Sequence, residues 1–213
     1  MGLTSLLVAN RGEIAVRILR AAMEAGLRVT SVYSEDDIDA LHVRMADESR
    51  RLSGMGPESY LNAPLIVEEA RAAGCEAIHP GYGFLSESPD FALLCQENDL
   101  VFVGPTADHL KLFGDKLAAR AHASACGVPV APGTSSSTSL EECQDFFESL
   151  GEDAAILIKA VGGGGGRGMR EVRDVEEIQS AYERCRSEAL RSFGNDAVYV
   201  ERVIDYARHI EIQ

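Results

Sequence analysis

The first hundred residues alternate short apolar runs with amphipathic stretches of helical period. The apolar runs, which predict strands, lie at Leu6–Ala9, Val29–Tyr33, Ala77–His79 and Leu100–Val103. Apolar residues recur at helical spacing from Glu13, near Ala63–Ala73 and near Pro89–Glu97. Strands that alternate with helices in this way are typical of parallel sheets covered on both faces. The pattern predicts an α/β fold built on a Rossmann-like, doubly wound parallel sheet.

Two turns that contain glycine directly follow predicted strands of this sheet. They are Asn10–Glu13 and His79–Gly83. Ligands of doubly wound sheets bind outside the carboxyl ends of the strands, where these turns lie. The sequence therefore predicts ligand contacts at both turns, with His79 holding its own turn in shape.

The second half of the chain predicts a smaller α+β unit. Two helices, split at Gly114, precede a turn-rich break, and Ser139 with Glu142 forms a capping box for a helix that runs to Leu150. The strands and the long polar helix that follow are expected at Ile156–Lys159, Met169–Val172, Val175–Arg191 and Ala197–Val200, with Glu201–Ile204 directly after.

A glycine tract, Gly162–Gly168, joins two of these strands and contains one arginine among six glycines. It satisfies G-x-G-x-x-G, but no helix opens after it, and no Gly-Lys-Ser/Thr of a P-loop follows. The flanking patterns instead predict an antiparallel hairpin. Glycines expose backbone without side chains, and next to Lys159 this is suited to a loop that covers phosphate groups. A flexible hairpin turn or linker without a ligand is the alternative interpretation.

Composition restricts where an anion could bind. The 213 residues carry 34 acidic and 20 basic side chains, a net charge of −14. This excess of acid argues against a general nucleic-acid or anionic-membrane surface, so positive charge must be concentrated locally. Only Lys111, Lys116 and Lys159 are lysines, and two of the three fall in motifs. A lysine ammonium is a compact point charge suited to one phosphate oxygen.

The cysteines indicate a reducing, cytoplasmic setting. The five are widely spaced and form no C-x-x-C pair, which favours neither a zinc site nor a disulfide framework. We expect no targeting segment and no membrane span, because no apolar stretch approaches spanning length. Residues 208–213 alternate like a strand and stop inside that pattern, so we expect the chain to be the amino-terminal piece of a longer protein.

Many short motifs recur in order and together resemble biotin carboxylase, a family of ATP-grasp enzymes. They are Asn10–Ala15, His42–Val43, Ala46–Glu48, Tyr60–Asn62, His79–Glu87, Gly114–Lys116, Lys159, Gly162, Arg167–Met169 and His209–Glu211. The resemblance implies a biotin carboxylase N-terminal domain at 1–103, a helical linker at 104–130 and an ATP-grasp lid subdomain at 131–203. Residues 204–213 would then begin the first strand of a central domain whose remainder is missing.

The activity that the resemblance implies is MgATP-dependent activation of bicarbonate to carboxyphosphate, followed by carboxylation of biotin. ATP, Mg²⁺ and biotin are the implied cofactors. Biotin would be presented by a biotin carboxyl carrier protein or domain, and a carboxyltransferase component would use the product. Arg17, Arg20 and Glu24 share one helix face, which the family uses in a homodimer; a solvated charged face is the alternative.

The resemblance also assigns roles to particular residues. Tyr82 and Gly83 match a turn near biotin, although a tyrosine in a tight turn is often packing. His209 in an alternating strand also has a plain interpretation as a packed or surface residue. The implied ATP contacts are Lys116, Lys159, Gly164, Gly165, Gly166, Met169, Glu201, Arg202, Val203, Ile204 and His209.

No catalytic residue and no magnesium ligand is expected within these residues, since the family places both beyond Gln213. The chain alone is therefore expected to lack turnover. Two other functions stay open. One is another ATP-grasp ligase, such as a carbamoyl-phosphate synthetase relative, which would leave His79–Glu87 unexplained. The other is a nucleotide-binding module without catalysis.

Overall fold

The computed structural model describes residues 2–152, 154–162 and 168–210. The chain divides into two compact units between Gly114 and Asp115, which falls between the two helices predicted after the first sheet. Each unit has its own sheet and its own core, and each is described separately. Within the described ranges, no helix combines the length and the apolar character needed to cross a membrane.

The first unit contains five strands and five α-helices. In chain order they are β1 Ser5–Val8, α1 Gly12–Glu24, β2 Arg28–Tyr33, α2 Leu41–Met45, β3 Glu48–Arg51, α3 Ala63–Ala72, β4 Ala77–His79, α4 Pro89–Glu97, β5 Val101–Phe102 and α5 Ala107–Gly114. Short 3-10 turns at Glu35–Asp37 and Pro57–Leu61 connect some of them.

The sheet of the first unit is parallel throughout and has the order β3-β2-β1-β4-β5. The chain therefore winds outward from β1 in both directions, which confirms the predicted doubly wound sheet. Two buried clusters form its core. One includes Leu7, Ile78 and Phe91, and the other includes Leu6, Val8 and Leu19. Because neighbouring residues of β1 enter different clusters, apolar layers cover both faces of the sheet.

In its described residues, the second unit contains three strands and three α-helices. In chain order they are α6 Lys116–Ala125, α7 Leu140–Ser149, β6 Ile156–Ala160, β7 Met169–Val172, α8 Ile178–Phe193 and β8 Val198–Arg202. A 3-10 turn at Val175–Glu177 leads into α8.

The sheet of the second unit is antiparallel, with β6 between β7 and β8. This confirms the hairpin predicted around the glycine tract; residues 163–167 of that tract lie outside the described residues. The capping box is also confirmed, because the Ser139 Oγ accepts the Glu142 N–H at 3.2 Å and Glu142 Oε2 accepts the Ser139 N–H at 2.7 Å.

One face of this small sheet is packed against α7 and α8. Ile156, Ile158, Val172 and Val200 are fully buried or nearly so, together with helix residues such as Cys143, Ile178 and Cys185. Burial alternates along β6, where Ile156, Ile158 and Ala160 are buried, so Leu157 and Lys159 point to the other face. The sheet therefore has one face for its core and one face on which polar side chains can meet.

Two local features differ from the sequence-based expectation. The sequence pattern did not predict β3, whose residues Glu48–Arg51 are all polar, or the short α2 before it. Conversely, the strand predicted from residue 208 is not formed at 208–210, and residues 211–213 lie outside the described part. Alternation alone does not make a strand, because backbone groups of a strand need a neighbouring chain to pair with.

Candidate functional site

The strand register places three of the predicted nucleotide residues, Lys159, Met169 and Glu201, on the face of the small sheet opposite α7 and α8. Leu157 of β6 lies opposite Glu201 of β8, and Lys159 lies opposite Tyr199. Residues that face each other across antiparallel strands project from the same side of the sheet. Lys159 and Glu201 are thus diagonal neighbours on one face, within reach of each other.

Glu201 is the centre of a charged cluster on this face. Its Oε2 binds the ammonium of Lys159, and its Oε1 lies 2.5 Å from Nη1 of Arg120. The residue is only 9% exposed. A carboxylate removed from water to this extent requires compensating partners, and here each oxygen has a cationic one.

Arg120 is a member of this cluster that the sequence-based interpretation missed. It lies in α6, and its Nη2 also donates to the Ala131 carbonyl at 2.6 Å. Lys116 opens the same helix four residues earlier, a spacing that puts two side chains on one helical face. The sequence signal that could have found Arg120 was its i, i+4 spacing from Lys116, directly after Asp115.

Lys116 stands at the amino terminus of α6, where Asp115 caps the helix by accepting the Leu117 and Ala118 N–H groups at 2.9 and 3.0 Å. Its pKa is lowered, first by burial and next by the positive charge of Lys159. Two ammonium groups that repel one another favour an anion between them. The cluster therefore suits a ligand that carries several negative charges.

The segment that precedes α7 extends the small sheet along the free edge of β8. Arg202 N–H donates to the Pro132 carbonyl at 2.8 Å, and Thr134 N–H donates to the Val200 carbonyl at 2.9 Å. Gly133 lies between these two bonds, in a bridge to Glu201. The backbone on either side of Glu201 is therefore fixed, which orients its carboxylate toward Lys159 and Arg120.

The remaining predicted nucleotide residues surround this cluster or lie outside the described part. Met169 begins β7 opposite Lys159 and is 38% exposed. Arg202 ends β8, and Val203 N–H donates to the Ala155 carbonyl at 2.9 Å. Ile204 is exposed beyond the strand, and His209 lies further along in an exposed segment without helix or strand. Gly164, Gly165 and Gly166 lie outside the described residues.

The first unit holds the turn predicted to lie near biotin. Asn10 Nδ2 donates to the carbonyls of Pro80 and Tyr82 at 2.7 and 2.9 Å, which ties the turn after β1 to the turn after β4. Gly81 has φ +69°, and a Cβ there would lie 2.7 Å from Asn10 Nδ2, so glycine is required. These turns meet where the strand order of the sheet reverses, between β1 and β4.

Tyr82 and Gly83 follow in the same turn. The Tyr82 side chain is 60% exposed, and its hydroxyl donates to Glu13 in the first turn of α1. This bond to Glu13 raises the pKa of Tyr82. Gly83 has φ +64° and open space where a Cβ would be. His79 Nδ1 accepts the Gly81 N–H at 3.1 Å, and burial lowers the pKa of His79. A neutral His79 therefore holds the turn, as the sequence suggested.

No group of three or more His, Cys, Asp or Glu side chains in the described ranges is arranged to hold a metal ion. What the described residues do supply is positive charge from Lys116, Lys159 and Arg120 around a single buried carboxylate, beside a glycine-rich hairpin. The fold is of the α/β class, and this cluster is suited to a ligand that carries several negative charges.

Matches to two family models assign the chain to a protein family. Residues 2–110 match the biotin carboxylase N-terminal domain, and residues 115–213 match the ATP binding domain of the carbamoyl-phosphate synthase L chain. The chain belongs to the biotin carboxylase family.

Relatives of known function agree over nearly the whole chain. The sequence is 49% identical over 211 residues to pyruvate carboxylase of Staphylococcus aureus, covering 98% of this chain and 18% of that protein. It is 46% identical over 210 residues to biotin carboxylase 1 of Bacillus subtilis, covering 98% of this chain and 46% of the relative. The chain thus spans less than half the length of either relative.

Solved structures show the same fold. A complex of biotin carboxylase with β,γ-ATP from Campylobacter jejuni is similar with a TM-score of 0.91 and 40% identity, over 96% of this chain and 46% of that one. The biotin carboxylase domain dimer of Hydrogenobacter thermophilus 2-oxoglutarate carboxylase has a TM-score of 0.87 and 40% identity, over 96% of this chain and 45% of that one. That domain was crystallised with MgADP, ADP and bicarbonate.

Proposed function

We propose that this chain forms part of a biotin carboxylase, which uses MgATP to activate bicarbonate and then carboxylates biotin. The observation that carries the proposal is the cluster in which Lys159 and Arg120 bind Glu201 on the sheet face opposite α7 and α8, with Lys116 one turn before Arg120 on α6. A chain of net charge −14 concentrates three cations there, which suits a polyphosphate ligand.

In this proposal the chain's own residues bind and orient ATP. Lys159 and Lys116 would neutralise phosphate oxygens, so that negative charge that develops during phosphoryl transfer is stabilised. The glycine tract, including Gly164, Gly165 and Gly166, would cover the phosphates with Met169 at its exit. Covering them would exclude water, which would otherwise hydrolyse carboxyphosphate.

The strand end after Glu201 would receive the base of the nucleotide. Backbone groups of Arg202 and Val203 and the exposed apolar side chain of Ile204 are suited to the edge and the face of an adenine ring. His209 would approach the ribose or the phosphates. In the first unit, Tyr82 and Gly83 would lie near biotin. Magnesium ligands and the groups that act on bicarbonate are proposed to belong to residues other than those described.

The partners follow from the same proposal. Biotin would be delivered by a carboxyl carrier protein or domain, and a carboxyltransferase component would receive the carboxyl group. A homodimer would form through the α1 face that carries Arg17, Arg20 and Glu24. We place the protein in the cytoplasm, a reducing compartment, which the free thiols of Cys75, Cys95, Cys143 and Cys185 support, since all four are buried without disulfides.

The proposal predicts a specific ATPase. The complete gene product should hydrolyse ATP in a reaction that needs bicarbonate and Mg²⁺ and that free biotin stimulates. Lys159→Ala should lower this rate by about 100-fold or more, because a charge aimed at the transferring phosphoryl group is lost. Lys111→Ala is the matched control, since Lys111 is an exposed lysine of α5, and it should keep the wild-type rate.

The outcomes separate the alternative functions. ATP hydrolysis that ignores biotin would favour another ATP-grasp ligase, a possibility raised by the carbamoyl-phosphate synthase description of the domain matched at 115–213. ATP binding without hydrolysis would favour a nucleotide-binding module. Equal loss of rate in the Lys159 and Lys111 variants would contradict the phosphate role of Lys159.

A further inference from the structure

The activity proposed above counts Arg120 among the cations of the charged cluster but assigns it no contact with ATP, and its side chain binds Glu201. We propose that Arg120 is a positioning residue for nucleotide binding, which keeps the Glu201 carboxylate neutralised so that Lys159 is released to the phosphates of ATP. The inference rests on the proposed function and names a residue on which its phosphate site depends.

Because Glu201 is largely buried, leaving its negative charge without a cationic partner would cost free energy. The side chains of Arg120, Glu201 and Lys159 are 19%, 12% and 22% exposed. Removing one partner from a pair this far from water leaves an uncompensated charge, which is far more costly than the loss of a surface pair. Lys159 can therefore leave Glu201 at low cost only if another cation stays.

The geometry assigns each cation its own oxygen. Arg120 binds Oε1 of Glu201 and Lys159 binds Oε2, so Lys159 can move away without disturbing the arginine contact. Lys159 is suited to moving, because its flexible stem carries a point charge with three equivalent donors. Arg120 is suited to staying, because its planar guanidinium fixes several hydrogen bonds at once.

The surroundings hold the Arg120 guanidinium in place. Its Nη2 donates to the Ala131 carbonyl at 2.6 Å while Nη1 binds Glu201. Gly133 makes room for it, since a Cβ at that position would lie 3.1 Å from Nη2. The same helix, α6, presents Lys116 one turn earlier, so Arg120 and a predicted phosphate ligand share one rigid support.

Without Arg120, Lys159 would be the one ion-pair partner of Glu201 among the described residues. The carboxylate would then hold the ammonium with both oxygens and compete with the phosphates for it. The expected consequence is weaker ATP binding that depends on the negative charge of Glu201. A merely structural arginine would not show that dependence.

The test is a double-mutant cycle on the complete gene product, with the dissociation constant of ATP measured by calorimetry. Arg120→Met, which removes the charge and keeps most of the length, should weaken ATP binding about tenfold. In a Glu201→Gln background the same change should alter binding by about twofold or less, because no carboxylate is left to neutralise. Arg120→Lys should recover most of the affinity.

Arg186→Met is the matched control, because Arg186 also forms an arginine-carboxylate pair, with Asp196, but that pair is exposed. It should bind ATP as the wild type does. If Arg120→Met fails to fold in a melting experiment, Arg120→Gln, which also removes the charge but keeps a donor for the Ala131 carbonyl, makes the same comparison with and without Glu201→Gln.

Two results would overturn this inference and leave the proposed function standing. The first is unchanged ATP binding in Arg120→Met. The second is a loss of affinity on Arg120→Met that is equally large in the wild-type background and in the Glu201→Gln background. A wild-type protein that binds no ATP would instead overturn the proposed function, and the inference with it.

Discussion

Gly133 shows at the level of one residue how the absence of a side chain shapes the charged cluster. A Cβ there would lie 2.5 Å from the Val200 carbonyl oxygen and 3.1 Å from the Glu201 Cα. Both contacts are to backbone inside a paired strand, which cannot move aside without breaking its hydrogen bonds. Glycine is therefore needed at this position because two chain segments approach closely, and not because the φ angle is unusual.

We predict that Gly133→Ala lowers the free energy of unfolding by about 1–3 kcal/mol, the usual cost of forcing an extra methyl group into a tight contact. Urea unfolding of the 213-residue chain, followed by far-UV circular dichroism, measures the change. Gly114→Ala is the control, because a Cβ at Gly114 meets nothing within 4 Å; it should be neutral or slightly stabilising. Equal stability of the two variants would contradict the steric explanation.

At the scale of elements, one partly buried carboxylate ties together three parts of the first unit. Asp37, in the 3-10 turn after β2, accepts bonds from Arg11 Nε and Nη2, both at 2.6 Å, and from the Tyr60 hydroxyl at 2.8 Å. Arg11 precedes α1, and Tyr60 lies in the 3-10 turn before α3. Hydrogen bonds from Arg11, ahead of the opposing effect of burial, lower the pKa of Asp37 to about 2.

This shift predicts a pH-dependent stability. Because the folded-state pKa of Asp37 lies below its unfolded value, the network stabilises the unit fully above about pH 4. The contribution is lost as pH falls toward about 2. We expect it to be about 1–2 kcal/mol, reduced from the full linkage value because Arg11 is partly exposed to screening solvent.

The measurement is the free energy of unfolding between about pH 5 and about pH 2 for the wild type and Asp37→Asn. The variant should be less stable at the upper end of this range, and the difference should shrink as the pH falls, since a protonated Asp37 resembles the amide. Asp39→Asn, two residues further along in an exposed position, is the control. A wild type and Asp37→Asn that differ by the same amount at every pH would contradict the linkage.

Elements with a strong apolar period could be predicted from the sequence, and elements held by their neighbours could not. The strands β1, β2 and β6 are buried on one face or both, so their residues had to be apolar in a pattern that the sequence displays. β3 is an edge strand with residues Glu48–Arg51, and its position comes from backbone pairing with β2 and from polar contacts of Ser49 with Ser31 and with the Val43 carbonyl. Pairing of this kind leaves no hydrophobic pattern.

The same distinction applies to the candidate site. Lys159 could be chosen because it ends a patterned strand beside the glycine tract, Glu201 was chosen through the family resemblance, and the structure brings them together. Arg120 was missed because it reaches Glu201 from a helix 81 residues away in the sequence, a contact that only the tertiary fold creates. The local spacing of Lys116 and Arg120 could have indicated which face of α6 carries charge, but not what that charge meets.

At the scale of the whole molecule, the distribution of positive charge is informative, because one helix of each unit carries basic side chains on one face. Although the net charge is −14, basic side chains line up at helical spacing on α1 and on α6. On α1, Ala15, Ile18, Leu19 and Ala22 are buried, while Arg17, Arg20 and Glu24 project outward. A groove of about 760 Å³ runs along this face and is lined by these three charged residues and by His42.

A groove that carries both charge signs, with apolar wall residues between them, is suited to a second copy of the same surface, because each arginine can meet a glutamate across a two-fold axis. We therefore predict that the complete gene product is a dimer in sedimentation equilibrium and that Arg17→Glu with Arg20→Glu converts it to monomers by like-charge repulsion. Arg71→Glu, an exposed change on α3, should leave the dimer intact. A double variant that stays dimeric would place the interface elsewhere, and a monomeric wild type would show that the α1 face is a solvated surface.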